Sequence, residues 1–129
     1  MESETAEIEI DASPADTWAL VGDFGGIGWM PGIESVVVDD DVRTIAMMGM
    51  EIKEQLKGRD EDARSIAYAI IDGPVPVESH LATITVHDGA DGGSRVTWQV
   101  DIEPEGAAMF KDIYQGALGA LKEKVEGGA

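Results

Sequence analysis

Val42-Arg43-Thr44-Ile45-Ala46-Met47-Met48-Gly49-Met50-Glu51-Ile52-Lys53-Glu54-Gln55-Leu56-Lys57 reads as two strands and the turn between them. A two-residue turn at Met48-Gly49 pairs Met47 with Met50, Ile45 with Ile52, and Arg43 with Glu54. Those side chains share one face with Leu56, while Thr44, Ala46, Glu51, Lys53, Gln55 and Lys57 share the other. The second set belongs in water. Arg43 and Glu54 are therefore directed to the apolar side, opposite one another across the ladder, which is costly unless they pair.

The same alternation extends in both directions. Upstream, Thr5 to Asp11 alternates strictly and stops at Ser13-Pro14, a capping residue followed by a proline at the first helical position. The helix begun there carries Trp18, Leu20, Val21 and Phe24. Gly25, Gly26, Gly28, Pro31 and Gly32 then break the chain around Ile27, Trp29 and Met30, which predicts one short helical turn before the strand Ile33 to Val38. Downstream, strands are expected over Ala63 to Ile71, Val77 to His87 and Arg95 to Glu103, with turns at 58–62, 73–76 and 88–93. Short successive turns demand antiparallel neighbours. The last segment is helical, expected over Glu105 to Glu126. Phe110, Ile113, Tyr114, Ala117, Leu118, Leu121 and Val125 form one stripe, and Gly127-Gly128 ends it.

The last strand separates Val96, Trp98, Val100 and Ile102 from Arg95, Thr97, Gln99 and Asp101, so one face of the sheet must be covered. The C-terminal helix is the only large element available to do it. Equivalent counting turns Ile66, Tyr68 and Ile70, and His80, Ala82, Ile84 and Val86, to the same interior. A few polar groups (Arg43, Glu54, Tyr68, His80) converging among Met, Ile and Trp side chains is the pattern of a ligand pocket. The fold class expected is α+β, a seven-stranded curved antiparallel sheet around a long C-terminal helix, with two short helices between strands one and two, in one domain over 1–129.

Composition removes several functions. The chain carries 26 acidic against 9 basic residues, a net charge of −17, which repels phosphate backbones and anionic headgroups. Nucleic acid is not an expected partner. No apolar run approaches the ~18 residues of a membrane span, so no stable membrane insertion is expected. The acidic start Met1-Glu2-Ser3-Glu4 does not resemble an export signal, and the expected location is cytoplasmic. With no cysteine, disulfides and thiolate zinc sites are out. His80 and His87 fall on opposite faces of a regular strand, and the acidic turns 39–41 and 60–62 lack the spacing of a calcium loop, so neither metal nor cofactor is expected. There is no Walker loop, no dinucleotide fingerprint and no nucleophile elbow.

With these residues in place the chain resembles the polyketide cyclase/dehydrase family of the START and Bet v 1-like (helix-grip) superfamily. The resemblance rests on the order of elements and on local phrases: Ser13-Pro14-Ala15-Asp16-Thr17-Trp18, Asp23-Phe24-Gly25-Gly26, Trp29-Met30-Pro31-Gly32, Val42-Arg43, Glu54-Gln55-Leu56 and Gly73-Pro74-Val75-Pro76-Val77. It implies a hydrophobic cavity between sheet and helix. The plant hormone receptors of the superfamily place an inward Glu and Arg where Glu54 and Arg43 stand, a Tyr where His80 stands, and a ligand-meeting Lys where this chain has Glu34. They guard the mouth with loops equivalent to 47–50 and 72–76. The shorter first loop and the acid at Glu34 argue against that receptor function and leave the pocket.

Arg43 and Glu54 have three readings: a brace for the hairpin, an anchor for a polar ligand end, or a proton-transfer pair. Together with Tyr68 and His80 they are the catalytic candidates. The expected ligand-binding residues are Trp29, Glu34, Arg43, Ile45, Met47, Ile52, Glu54, Tyr68, Ile70, His80, Ala82, Trp98, Phe110, Tyr114 and Leu118. The expected function is binding of a small hydrophobic ligand (lipid, polyketide or isoprenoid-like) as a carrier, by a monomer or homodimer. A cyclase/dehydrase-type enzyme using the same cavity is the alternative, and a ligand-free protein-interaction module the weaker one.

Overall fold

Alternation at the N-terminus sets the first edge of the sheet. In β1 (Glu2–Ile10), Ala6 and Ile10 are buried while Glu7 and Glu9 are exposed. A computed structural model describes residues 2–73, 79–103 and 105–127. After β1 come α1 (Pro14–Val21), β2 (Ile33–Asp39), β3 (Val42–Met47), β4 (Met50–Asp60), β5 (Ser65–Asp72), β6 (Ser79–Asp88), β7 (Ser94–Glu103) and α2 (Ala107–Gly127). The sheet is seven-stranded in the order β1-β7-β6-β5-β4-β3-β2, and every pairing is antiparallel. The expected start of the sixth strand at Val77 lies outside the described residues.

α2 packs on the inner face against β1 and β7. Val96, Trp98, Val100 and Ile102 of β7 meet Phe110, Tyr114, Ala117, Leu118 and Leu121 of α2 in the core. Glu2, at the start of β1, fixes where α2 begins: its carboxylate accepts the backbone N–H groups of Gly106 at 3.0 Å and Ala107 at 3.2 Å. Those donors have no partner inside a helix, and the negative charge suits the positive end of the helix dipole. Ser13 caps α1 in the same way through Asp16 N–H, as its Ser-Pro start requires.

Two expectations need correction. The chain has one short helix, not two, between β1 and β2. Residues 23–32 form isolated turns closed by Gly26 N–H to Asp23 C=O at 3.2 Å and Met30 N–H to Ile27 C=O at 3.0 Å. Glycine and proline at this density keep the helix from propagating. The stretch 58–60, expected as a turn, is the end of β4, and a bulge between Leu56 and Gly58 absorbs the extra residue.

Candidate functional site

β3 and β4 carry the hairpin register that their sequence dictates, Met47 opposite Met50, Ile45 opposite Ile52 and Arg43 opposite Glu54. Beyond this hairpin the sheet and α2 stand apart and enclose a cavity of about 300 Å³. Its wall is Ile33 of β2, Ile45 and Met47 of β3, Met48 of the turn, Met50, Ile52 and Glu54 of β4, Tyr68 and Ile70 of β5, and Met109, Phe110, Ile113 and Tyr114 of α2. Met48 is 76% exposed, and Met50, Met109 and Ile113 are exposed too, so the mouth lies between the hairpin tip and the first turns of α2.

One carboxylate interrupts this apolar wall. Glu54 is 8% exposed and Arg43, behind it, 5%. The Arg43 Nε and Nη2 groups donate to Glu54 Oε1 at 2.9 and 2.7 Å, and Nη1 donates to the Phe24 carbonyl at 2.9 Å. The guanidinium lies 4.4 Å from the centre of the Phe24 ring and 4.8 Å from that of Tyr68, so aromatic faces cover it. Burial pushes the Glu54 carboxyl above its ordinary range, and the Arg43 charge and hydrogen bond pull it back.

His80 lies one layer behind the cavity. Its Nδ1 accepts the Ile70 backbone N–H at 3.1 Å, which places the proton of the neutral ring on Nε2, facing the Tyr114 hydroxyl at 3.3 Å. The role of this side chain follows from the sheet. The β5–β6 ladder ends at Tyr68 and Ala82, while β6 stays paired with β7 as far as Ser79. The imidazole supplies the acceptor that a backbone carbonyl would otherwise give Ile70. Burial lowers its pKa to about 4. Trp98 Nε1–H donates to the Tyr68 hydroxyl at 3.1 Å, and the Trp98 and Tyr114 rings stack at 4.1 Å. Burial drives both phenols well above the ordinary tyrosine range.

Of the residues named from sequence, Ile45, Met47, Ile52, Glu54, Tyr68, Ile70, Phe110 and Tyr114 line the cavity. Arg43 and His80 touch lining residues without lining it themselves. Ala82, Trp98 and Leu118 face inward but are solid core, because α2 rests directly on that half of the sheet. Trp29 packs edge-on against Trp98 at 6.3 Å, and its buried indole N–H has no partner among the described residues. Glu34 is exposed: the register of β2 shifts between Ile33 and Ser35, leaving Ile33 in the wall and Glu34 in solvent.

Among the described residues, no group of three or more His, Asp or Glu side chains is placed to hold a metal ion, and no helix is long and apolar enough to cross a membrane. An open groove of about 580 Å³ between α1 and the strand ends is lined by Trp18, Phe24, Val38, Arg59 and Glu61 among others. Its Glu61 is already engaged by Arg59 at 2.6 Å and the Trp18 indole at 2.7 Å.

The profile of the family described as polyketide cyclase/dehydrase and lipid transport matches residues 1–126. The chain belongs to that family. It is similar to XoxI from Bacillus cereus, with 31% identity and a TM-score of 0.91 over 98% of this chain and 96% of that one. An uncharacterised protein from Bacillus thuringiensis shares 29% identity at a TM-score of 0.91, covering 97% of this chain and 99% of its own. Ara h 8.0201, at 19% identity and a TM-score of 0.77 over 98% of each chain, shares the Bet v 1-like fold. No curated protein matches the chain.

Within this family framework, sequence reading missed the mouth: Ile33, Met48, Met50, Met109 and Ile113. Two signals were present. Met50 is the cross-strand partner of inward Met47. Met109 precedes Ile113 by one helical turn, on the side of the stripe that faces away from β1 and β7.

Proposed function

We propose that the protein binds one small apolar molecule in the cavity between the β3–β4 hairpin and α2 and carries it shielded from water. The observation behind this reading is the contrast within one inner face. On the β1/β7 side the helix and sheet interdigitate, whereas on the β3/β4 side about 300 Å³ stays open among Ile, Met and aromatic side chains. An unfilled apolar space forgoes contact energy that the fold would otherwise gain. The volume sits at the lower end of the range for small-molecule sites. Family membership supports a hydrophobic cargo. Native mass spectrometry of gently purified protein tests the reading: an apolar species should travel with the folded chain and leave on unfolding. Absence of any such species, together with failure to bind an apolar dye, would remove it.

A second reading is a cyclase or dehydratase, favoured by Glu54, Tyr68 and Tyr114 sharing the wall. In it a phenol donates to a substrate carbonyl while Glu54 accepts a proton from carbon, and a carboxyl raised by burial suits that role. The two readings differ in what is recovered. A carrier returns its cargo unchanged, whereas an enzyme releases a product lighter by water or containing a new ring.

A further inference from the structure

The cavity has an acceptor to offer and no free cation. Among the described residues Glu54 is the only charged side chain in its wall, and the segment 74–78 contains no Lys or Arg. Arg43, the one cation adjacent among the described residues, is already engaged elsewhere. Three of its nitrogens are committed to Glu54 Oε1 and the Phe24 carbonyl, and the rings of Phe24 and Tyr68 cover the guanidinium. Both hydrogen-bonding contacts from Arg43 fall on Oε1, and Oε2 accepts no hydrogen bond among the described residues. A carboxylate entering this space would stand beside another carboxylate, with only the neutral phenols of Tyr68 and Tyr114 as donors. Two neutral donors offset only part of the cost of burying a charge, and the neighbouring Glu54 carboxylate adds repulsion. A hydroxyl, by contrast, donates to Glu54 and accepts from a phenol.

We infer that the cavity selects an uncharged apolar molecule ending in a hydroxyl group and rejects the corresponding carboxylate. This rests on the reading that the cavity binds an apolar molecule at all. The selection is a property of the Arg43–Glu54 pair. With its charge removed, Glu54 would no longer neutralise Arg43, and the same pocket would present a net cation to the ligand.

The test uses the intact protein at neutral pH and three probes of equal chain length, decanol, methyl decanoate and decanoate, each displacing the neutral dye Nile red. Decanol should bind at least about tenfold more tightly than decanoate, the effect of leaving a buried charge without a partner. Methyl decanoate, which has no donor for Glu54, should fall between them. In Glu54→Gln the order should invert, with decanoate gaining and decanol losing. Equal binding of decanol and decanoate, or a preference for decanoate, would overturn the selection and leave the apolar-binding reading intact. Failure of Nile red and of all three probes would overturn both. A Glu54→Gln variant that folds and keeps the wild-type order would show that Glu54 is not the selector. Should that variant not fold, the order of the three probes on the wild-type protein still decides the matter.

Discussion

Arg43 and Glu54 are cross-strand partners because a two-residue turn five residues from each admits no other register, and the pair must then satisfy itself where water does not reach. Replacing either with Leu should destabilise the fold by about 3–5 kcal/mol, since the survivor stays buried and charged. Replacing both should be nearly neutral, with Phe24 C=O losing one donor as the residual penalty. Urea denaturation of the two single variants and the double variant measures this, and a double variant no better than the singles would mean the pair is not the unit that matters. This much was legible in the sequence, because a short hairpin converts spacing directly into facing. Glu34 was not legible. A register shift beside it depends on how β2 meets β3 rather than on any local signal, and it reversed that residue's side. Nor could alternation tell that Arg43 stops one layer short of the cavity. That depends on the length of its side chain and on Phe24, which lies nineteen positions away.

At the scale of elements, β5 and β6 cease to pair beyond Tyr68 and Ala82, and His80 bridges the gap to Ile70. Its neutral ring has two duties, accepting from Ile70 N–H and facing the Tyr114 hydroxyl. Protonation of Nδ1 abolishes the first. The folded pKa of about 4 lies below the ordinary 6.5, so the unfolded chain binds more protons between those values. Stability from this group is therefore full above pH 6.5 and is lost as pH falls toward 4. Thermal unfolding followed from neutral to acid pH should show the midpoint falling across that window. His80→Gln should flatten the dependence if it can keep an acceptor for Ile70. Glu54, whose carboxyl is raised, acts in the opposite sense, its burial penalty easing as it protonates in acid. An unchanged pH profile in His80→Gln would place the sensitivity elsewhere. The inward face of β6 was readable from alternation, and so was the long stripe of α2, seen as Ala107–Gly127. The split was not, since it depends on strands that pair with one partner and leave another. For the same reason the stripe residue Ile113 lies half-exposed at a mouth rather than in a core.

The whole molecule carries 26 acidic and 9 basic residues on a domain-sized chain, and this excess repels itself in the folded state more than in the expanded one. Added salt should therefore raise the unfolding midpoint through screening, with most of the gain complete by ~0.15 M, where the screening length is about 8 Å. A midpoint that falls with salt would mean that surface ion pairs such as Arg95–Glu7 outweigh the repulsion. The cavity sets a second balance, between packing and binding. Half of the inner face is closed by interdigitation and half is held open by Ile and Met side chains, so a larger side chain in the open half should do two things together. Ile52 lies in the wall, opposite Ile45 and outside the core cluster that contains Leu118. Ile52→Phe should fill part of the space and stabilise the fold by about 0.5–2 kcal/mol, the usual gain from filling a cavity. The same variant should lose binding of Nile red and of any co-purifying apolar species. Stability rising while binding falls is the signature of a space kept for a ligand. If Ile52→Phe destabilises the protein and leaves dye binding unchanged, the ring has been forced into packed surroundings and the apolar species is held somewhere other than this cavity.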